Sequence, residues 1–389
     1  MTKYLLTAAI ATILVACNNT SDAASAAAQA PAAATPAAAT TDTNKPFTAT
    51  AVAEFNQPWA MTFLPDGRLL VSERQGTLKV FDIASKKTGN VSGVPAVDYG
   101  GQGGFGDVVL HPQFASNGLV YVSYAEKGDG DTRGAAVARG KLTLDGNGGA
   151  ALSDMKVIWR QAPTVTDRGH YGHRIAFGPD GKLWISSGER QKFDPAQDMK
   201  SNLGKIVRLN DDGSVPADNP FADQGGVTAQ IWSLGHRNPL GLAFNAQGQL
   251  WEHEMGPKGG DEINRIERGS NYGYPIVSNG DHYDGKVIPD HDTRPEFNAP
   301  EASWNPVISP AGFVIYSGDL FGDWKGDGFI GGLSSQSLVR IEFDGDKARE
   351  AASYPMGARI REVEQGPDGA IWLLEDGTQG RLLKLTPAS

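Results

Sequence analysis

Two polar clusters close together in the chain contain the residues best suited to chemistry. Ser233-Leu-Gly-His-Arg-Asn-Pro239 brings an imidazole, a guanidinium and an amide next to a proline turn, and Gly256-Pro-Lys-Gly-Gly-Asp-Glu262 adds a Gly-Pro turn and paired acids. A guanidinium pairs carboxylates through parallel hydrogen bonds, and calcium prefers backbone carbonyls and carboxylates as ligands. The clusters therefore predict a site for an anionic ligand beside a hard cation, with a spacing unlike that of an EF-hand loop.

Further polar clusters are scattered along the chain, each beside a predicted strand. They are Gln102-Gly-Gly-Phe-Gly106, His170-Tyr-Gly-His-Arg174 and Arg359-Ile-Arg361. If they converge on one pocket, an amide, imidazoles and arginines surround one polyanionic ligand. The alternative for the two arginines at 359 and 361, which alternate along a strand, is an exposed and solvated face.

A histidine is the natural base for removing a proton near pH 7, because its neutral imidazole is available there. His170 and His173 are the two candidates, with His170 preferred. The five other histidines are interpreted as structural residues. The chain has no Cys/His spacing of the kind that binds zinc.

The elements that must position these clusters are short strands joined by glycine turns, and they repeat. Each copy couples a strand, a turn of the Pro-Asp-Gly type and a second strand, which is a hairpin signal. Four strict copies and two looser ones are Phe63–Glu73, Phe177–Glu189, Phe244–Glu254, Gln365–Glu375, Leu110–Val122 and Gly326–Gly331. They predict an all-β, six-bladed β-propeller of four-stranded antiparallel blades over 46–389, with seven blades as the competing count. Loops from many blades would meet over its central channel.

The N-terminus has the features of a bacterial lipoprotein signal. Lys3 precedes an apolar run, Tyr4–Ala16, that is too short to span a bilayer and ends at Leu14-Val-Ala-Cys17. Cys17 is the only cysteine, which predicts lipid attachment there and a fold without disulfides. Residues 18–45 are rich in Ala, Pro and Thr and are interpreted as a disordered linker. We expect a periplasmic protein that is lipid-anchored at the outer membrane.

The formal net charge of −10 and the lack of any Lys/Arg cluster exclude a nucleic-acid partner.

The ordered set of clusters resembles the soluble PQQ-dependent sugar dehydrogenases over about residues 46–385, and within them the aldose sugar dehydrogenase branch. The motifs that carry the resemblance are Gln102-Gly-Gly, His170 ahead of Gly172 and Arg174, Gly-His-Arg237-Asn238-Pro, Gly256-Pro257 with Gly-Asp-Glu262-Ile-Asn, Asn271-Tyr272-Gly and Arg359-Ile-Arg361.

The resemblance implies a propeller that binds pyrroloquinoline quinone (PQQ) over its channel, together with calcium. The implied cofactor contacts are Gln102, Arg237, Asn238, Tyr283, Leu333, Ser334, Arg359 and Arg361. The implied calcium ligands, in one site or two, are Gly256, Pro257, Glu262 and Tyr272. His170 falls on the general base. Ser334 stands where the family often has a lysine, and Gly169 supplies no carboxylate to orient His170.

The implied reaction oxidises the anomeric hydroxyl of an aldose to a lactone. His170 takes the proton, Arg237 stabilises charge on the reduced quinone, and calcium polarises the quinone. The electron acceptor is a small cytochrome or a quinone, and Trp304 either lines the sugar site or packs in the core. Two alternatives are a calcium-dependent propeller lactonase, which needs Asp, Asn and Glu side chains at the channel centre, and a non-enzymatic propeller lipoprotein, which needs no convergent arginines.

Overall fold

The computed structural model describes residues 45–388. The predicted signal peptide, Cys17 and nearly all of the predicted linker lie outside the described residues. Within them, the regular structure is 26 β-strands, one α-helix of four residues and five 3-10 helices. None of these helices is long and apolar enough to cross a membrane.

The strands are β1 (Phe47–Phe55), β2 (Pro58–Phe63), β3 (Leu69–Glu73), β4 (Thr77–Asp82), β5 (Lys87–Ser92), β6 (Phe105–Leu110), β7 (Leu119–Lys127), β8 (Arg133–Leu144), β9 (Ala150–Arg160), β10 (Gly172–Phe177), β11 (Leu183–Ser187), β12 (Lys205–Leu209), β13 (Ile231–Leu234), β14 (Pro239–Phe244), β15 (Leu250–Glu254), β16 (Lys258–Gly259), β17 (Asp261–Arg265), β18 (Gly280–Asp281), β19 (Ala302–Trp304), β20 (Pro310–Ile315), β21 (Gly328–Gly332), β22 (Ser337–Asp344), β23 (Lys347–Pro355), β24 (Ile360–Gln365), β25 (Ile371–Glu375) and β26 (Gly380–Pro387). The helices are α1 (Phe114–Asn117) and the 3-10 turns Asp194–Ala196, Ala222–Gln224, Thr228–Gln230, His291–Thr293 and Gly322–Trp324.

Most strands belong to antiparallel groups of four. Four sheets have the orders β1-β26-β25-β24, β10-β11-β12-β13, β14-β15-β17-β19 and β20-β21-β22-β23. An eight-stranded sheet contains the groups β2–β5 and β6–β9, which are joined by a short parallel pairing of β5 with β9. The strands β16 and β18 form a separate ribbon. The all-β prediction is confirmed.

The sequence repeat corresponds to the first hairpin of the four-stranded groups. In the four strict copies the turn is closed by the pairs Phe63↔Leu69, Phe177↔Leu183, Phe244↔Leu250 and Gln365↔Ile371. The turn glycine of each copy has a positive φ, between 72° and 86°, which glycine adopts without the steric cost that a Cβ imposes. The shared turn therefore gives every hairpin the same register.

Apolar side chains pack between neighbouring sheets and hold the loops at the sheet edges. Trp184, Trp251 and Trp372 occupy equivalent positions in β11, β15 and β25, and all three are buried. Burial of one indole removes roughly 200 Å² from water, which contributes about 5 kcal/mol, whereas an exposed ion pair contributes about 0–1 kcal/mol. Packing between sheets therefore outweighs surface charge in stabilising the framework.

Candidate functional site

The hairpin register brings the predicted site residues to one edge of the sheets. The loops before β6, β10, β14 and β24 contain Gln102, His170, Arg237 with Asn238, and Arg359. Because the first two strands of each group are antiparallel, the start of the first strand lies beside the end of the second, as in the pair Pro239↔Glu254. Loops before first strands and loops after second strands therefore meet.

A cavity of about 310 Å³ at this edge gathers most of the residues predicted to contact the cofactor. We call it the arginine cavity. Its lining includes Gln102, Asn238, Leu333, Arg359 and Arg361, together with Trp59, Arg74, His173 and Asp376. Three arginines against one aspartate give the cavity a positive charge, which suits a polyanionic ligand.

Asp376 holds two of the arginines in place and was not singled out from the sequence. Its carboxylate accepts hydrogen bonds from Arg359 Nε at 2.9 Å and Arg361 Nε at 3.3 Å. Burial alone would raise the pKa of Asp376, but Arg361 and Arg359 lower it below its ordinary value. The carboxylate is therefore ionised at neutral pH and orients both guanidinium groups.

His170 is buried, and two hydrogen-bonding contacts hold it in an uncommon backbone conformation. Its backbone has a positive φ of 48°, its amide donates to Gln102 Oε1 at 2.7 Å, and its Nδ1 contacts Glu189 Oε1. Burial lowers the pKa of His170 below its ordinary value, although Glu189 opposes that shift. The neutral ring with Nδ1–H directed at the carboxylate leaves Nε2 as the candidate proton acceptor.

His173 is a weaker candidate. Its ring lies 5.0 Å from the ring of Trp59, and burial with nearby Arg174 lowers its pKa to about 3. Such a low pKa makes the imidazole a poor base. Arg174, from the same motif, is buried against Glu362 at 2.5 Å and does not line the arginine cavity.

Glu189 is the orienting carboxylate that Gly169 does not supply. It is fully buried, and its second oxygen, Oε2, accepts hydrogen bonds from the backbone amides of Lys192 at 2.5 Å and Phe193 at 2.6 Å. The four strict copies of the repeat all end in glutamate, at Glu73, Glu189, Glu254 and Glu375. That repetition was the available signal for this residue.

A second cavity of about 200 Å³, which we call the aromatic cavity, contains the candidate base. Its lining includes His170, Arg237, Pro257 and Tyr283, together with Gln191, Phe193, Tyr274, His282 and Asp284. The guanidinium of Arg237 lies 6.0 Å from the centre of the Tyr283 ring. Arg237 Nη1 donates to the carbonyls of Met255 at 2.9 Å and Gly256 at 2.6 Å, while Nε is buried without a partner.

The residues predicted to bind calcium lie at a third, smaller cavity of about 10 Å³, which is the size of one ion or water. Gly256, Pro257, Glu262 and Tyr272 all line it, together with Glu254. The hydroxyl of Tyr272 donates to the Arg265 carbonyl at 2.5 Å. The backbone carbonyl oxygen of Tyr272 is therefore the group of this residue that remains to bind a cation.

Three buried glutamates, Glu252, Glu254 and Glu262, lie on one face of the β15–β17 pair beside this small cavity. Burial and the neighbouring Glu254 raise the pKa of both Glu252 and Glu262. Among the ion pairs of residues 45–388, only His236 and His291 approach these three carboxylates. One oxygen of Glu252 is buried without a partner. Buried carboxylates without Lys or Arg partners fit a bound cation.

Two sequence-predicted residues lie away from these cavities. Ser334 donates its hydroxyl to the Val307 carbonyl at 3.1 Å, and the neighbouring Leu333 lines the arginine cavity and accepts Arg359 Nη1 at 3.4 Å. Trp304 packs in the core with its Nε1 donating to Glu350 at 2.6 Å. Of the two roles considered for Trp304, the structure supports the packing role.

Comparison with known proteins finds sugar dehydrogenases among those similar to this chain. The chain is 39% identical over 342 residues to aldose sugar dehydrogenase YliI of Escherichia coli, covering 86% of this chain and 91% of that protein. The apo crystal structure of the soluble aldose sugar dehydrogenase from Escherichia coli superposes with a TM-score of 0.83 at 38% identity, covering 88% of this chain and all of that one. The PQQ-bound aldose sugar dehydrogenase of Streptomyces coelicolor gives 0.70 at 28% identity, covering 87% and 98%.

The family model described as glucose / sorbosone dehydrogenase matches residues 55–384. That range contains every residue that lines the three cavities. The predicted resemblance is confirmed over nearly all of the described chain. This protein therefore belongs to the glucose / sorbosone dehydrogenase family, whose relatives include aldose sugar dehydrogenases.

Proposed function

We propose that this chain is a quinoprotein that oxidises the anomeric hydroxyl of aldose sugars to lactones, with PQQ and calcium as cofactors. The observation that carries the proposal is a positively charged cavity beside a buried histidine–glutamate pair. When bound, PQQ would supply an electrophilic quinone that accepts hydride, and calcium would polarise it. The known PQQ-bound relative supports the choice of cofactor.

The donor set of the arginine cavity fits the three carboxylates of PQQ. Arg359 and Arg361 are oriented by Asp376, and Asn238 adds an amide. The Gln102 oxygen accepts from the His170 amide, which leaves its NH₂ group for a ligand. Ser334 supplies no charge, so we assign the electrostatic part of binding to the arginines. Arg237, whose Nε has no partner, would stabilise negative charge that develops near the aromatic cavity.

Calcium would be held by the carbonyls of Gly256 and Pro257, with Glu262 and the carbonyl of Tyr272 as further ligands. The three buried carboxylates beside the small cavity, which have no Lys or Arg partner, support a cation there. Glu254 would position the neighbouring residues, because its carboxylate accepts hydrogen bonds from the backbone amides of both Arg237 and Asn238.

His170 Nε2 would remove the proton of the anomeric hydroxyl as hydride leaves C1. Glu189 keeps the ring oriented and stabilises the imidazolium that forms. Because burial lowers the pKa of His170, the base remains neutral at pH 7. The lactone then leaves through the open side of the aromatic cavity, where Tyr283 is exposed.

We further propose that the described chain forms a six-bladed β-propeller, with β2–β5 and β6–β9 as separate blades and β1 completing the last one. The Leu14-Val-Ala-Cys17 motif supports lipid attachment at Cys17 and a periplasmic location at the outer membrane, and the Ala, Pro and Thr content of residues 18–45 supports a linker to the 46–389 domain. If Cys17→Ala leaves the protein in the membrane fraction, the anchor assignment is wrong.

The test of function is reconstitution of the purified protein with PQQ and calcium, followed by dye reduction with several aldoses. We expect a reduced-quinone spectrum and dye reduction that depends on sugar. Absence of both would contradict the proposal. Lactone hydrolysis that needs calcium and no PQQ would instead identify the lactonase, and no activity with either would favour the non-enzymatic lipoprotein.

A further inference from the structure

His173 lines the arginine cavity in a backbone conformation that is uncommon for a residue with a Cβ. Its φ is 55°, and its side chain is buried. Non-glycine residues keep such a conformation only when their surroundings fix it, and such strain concentrates at ligand sites. Here Ser123 Oγ fixes the backbone by donating to the His173 carbonyl at 2.7 Å. The histidine is therefore held rigidly at the cavity.

A glycine in strand β6 makes room for the His173 ring. A Cβ on Gly106 would lie 2.3 Å from His173 Cε1 and 2.5 Å from Nδ1, closer than unbonded carbon and nitrogen atoms approach. The φ of Gly106 is not in the left-handed region, so the ring rather than the backbone requires a glycine there. The ring centre also lies 5.0 Å from that of Trp59 and 5.9 Å from that of Tyr171. These contacts together fix the orientation of the imidazole.

The imidazole brings a neutral polar group to a cavity of positive charge. Burial, with Arg174 nearby, lowers the pKa of His173 to about 3, so the ring is neutral at pH 7. Nδ1 is enclosed on the Gly106 side without a hydrogen-bond partner, which leaves Nε2 to reach a ligand in the cavity. Buried polar groups are normally paired with protein, water or ligand. Because the arginines attract an anion, the N–H of the neutral ring is best used at Nε2.

We propose that His173 is a cofactor-binding residue, whose Nε2–H donates a hydrogen bond to an oxygen of PQQ bound in the arginine cavity. The inference rests on the proposed function and adds a neutral donor to the arginines. It also gives the site a donor that Ser334 does not supply, since the Ser334 hydroxyl donates to the Val307 carbonyl. The role is distinct from that of a base, for which the ring is poorly suited.

The experiment titrates PQQ into the full-length apoprotein with saturating calcium and no sugar, and measures the dissociation constant by calorimetry. We expect His173→Gly to raise it about 3–10-fold, the usual loss for one neutral hydrogen bond, because glycine accepts the positive φ without strain. His173→Gln should stay within about twofold of wild type. Glutamine retains an N–H donor and has a positive φ elsewhere in this chain, at Gln57 and Gln191.

Asp154→Gly is the matched control. Asp154 also has a positive φ, of 53°, but it is exposed and lines none of the three cavities. Its replacement by glycine changes the same backbone feature away from the ligand and should leave the dissociation constant unchanged. Circular dichroism of each variant shows whether it is folded. If His173→Gly does not fold, His173→Leu retains side-chain packing without a donor and should show the same weaker binding.

The outcomes separate this inference from the proposed reaction. An unchanged dissociation constant in the folded variant without a donor would overturn the inference, because the ring would then pair with a buried water only. Binding that is weakened equally in His173→Gln would also overturn it, since a donor at this position would not matter. A wild type that binds PQQ but oxidises no aldose would overturn the proposed reaction alone. A wild type that binds no PQQ would overturn both.

Discussion

Glu73, Glu254 and Glu375 end the second strands of three groups, Glu189 lies two residues after the second strand of a fourth, and all four glutamates are buried. Glu73 accepts the Asn56 amide at 2.8 Å, and Glu375 binds the guanidinium of Arg381 at 2.5 and 2.6 Å. These two contacts join framework elements.

The other two glutamates contact residues that line the cavities. Glu189 holds His170, and Glu254 holds the backbone of Arg237 and Asn238. The same residue type, at or just after the end of the second strand, thus contacts either the framework or the cavity-lining residues, according to the loop that faces it. In these four groups a buried carboxylate lies near the sheet edge, and we infer that the loop sequence determines its use.

The largest effect should follow from removing His170, the proposed base, which Glu189 contacts. His170→Ala should retain PQQ binding and lower kcat by about 10²–10⁴-fold, the usual contribution of a general base. Stopped-flow reduction of the bound cofactor by glucose measures the loss. Full activity in this variant would reassign the base, with His173→Ala as the next variant to test.

Glu189→Gln should have a smaller effect, because the ring remains while its orienting charge is lost. We expect kcat to fall by about 10–100-fold. Glu189 raises the pKa of His170 against the effect of burial, so its removal should lower that pKa further. The acid limb of kcat/KM, where the protonated histidine stops working, should therefore move to lower pH. A limb that stays in place would show that Glu189 does not act on the base.

Glu254→Gln tests the second glutamate that contacts cavity residues, and the property measured is the calcium requirement of reconstitution. Loss of its charge should weaken cation binding at the proposed calcium site in the small cavity and the hydrogen bond to the Arg237 backbone amide. We expect about a tenfold higher calcium concentration for half-maximal reconstitution, with the pH dependence of kcat/KM unchanged. Titration of calcium into apoprotein with saturating PQQ measures it. A shifted pH profile instead would mean that Glu254 influences the base.

Glu375→Gln is the matched framework control and should have the smallest effect. Its ion pair with the half-exposed Arg381 should contribute only about 0.5 kcal/mol to the free energy of unfolding. Chemical denaturation should detect a small loss of stability, and kcat, KM and calcium dependence should match wild type. A tenfold loss of activity would remove the distinction between the two pairs of glutamates.

The hairpins and the arginine cavity were predictable, because turn glycines and arginine motifs are visible along the chain. The contact between His170 and Glu189 was not predictable from the sequence. It depends on the pairing of β10 with β11, which brings the loop after β11 beside the loop before β10. Asp376 was hidden for the same reason, since only the β24–β25 pairing brings it to Arg359. The strained backbone at His173 was also hidden, because positive φ values in non-glycine residues have no sequence signature.

The pairing of β1 with β26 has a consequence for synthesis of the chain. Phe47 lies opposite Pro387, and β1 has no other strand partner in its sheet. Strand β1 therefore waits until β26 has been synthesised before its backbone hydrogen bonds are satisfied. During that interval its edge is open to pairing with other chains. A ribosome that stops before residue 380 would release a protein without β26, so that no strand would join β1 to β25.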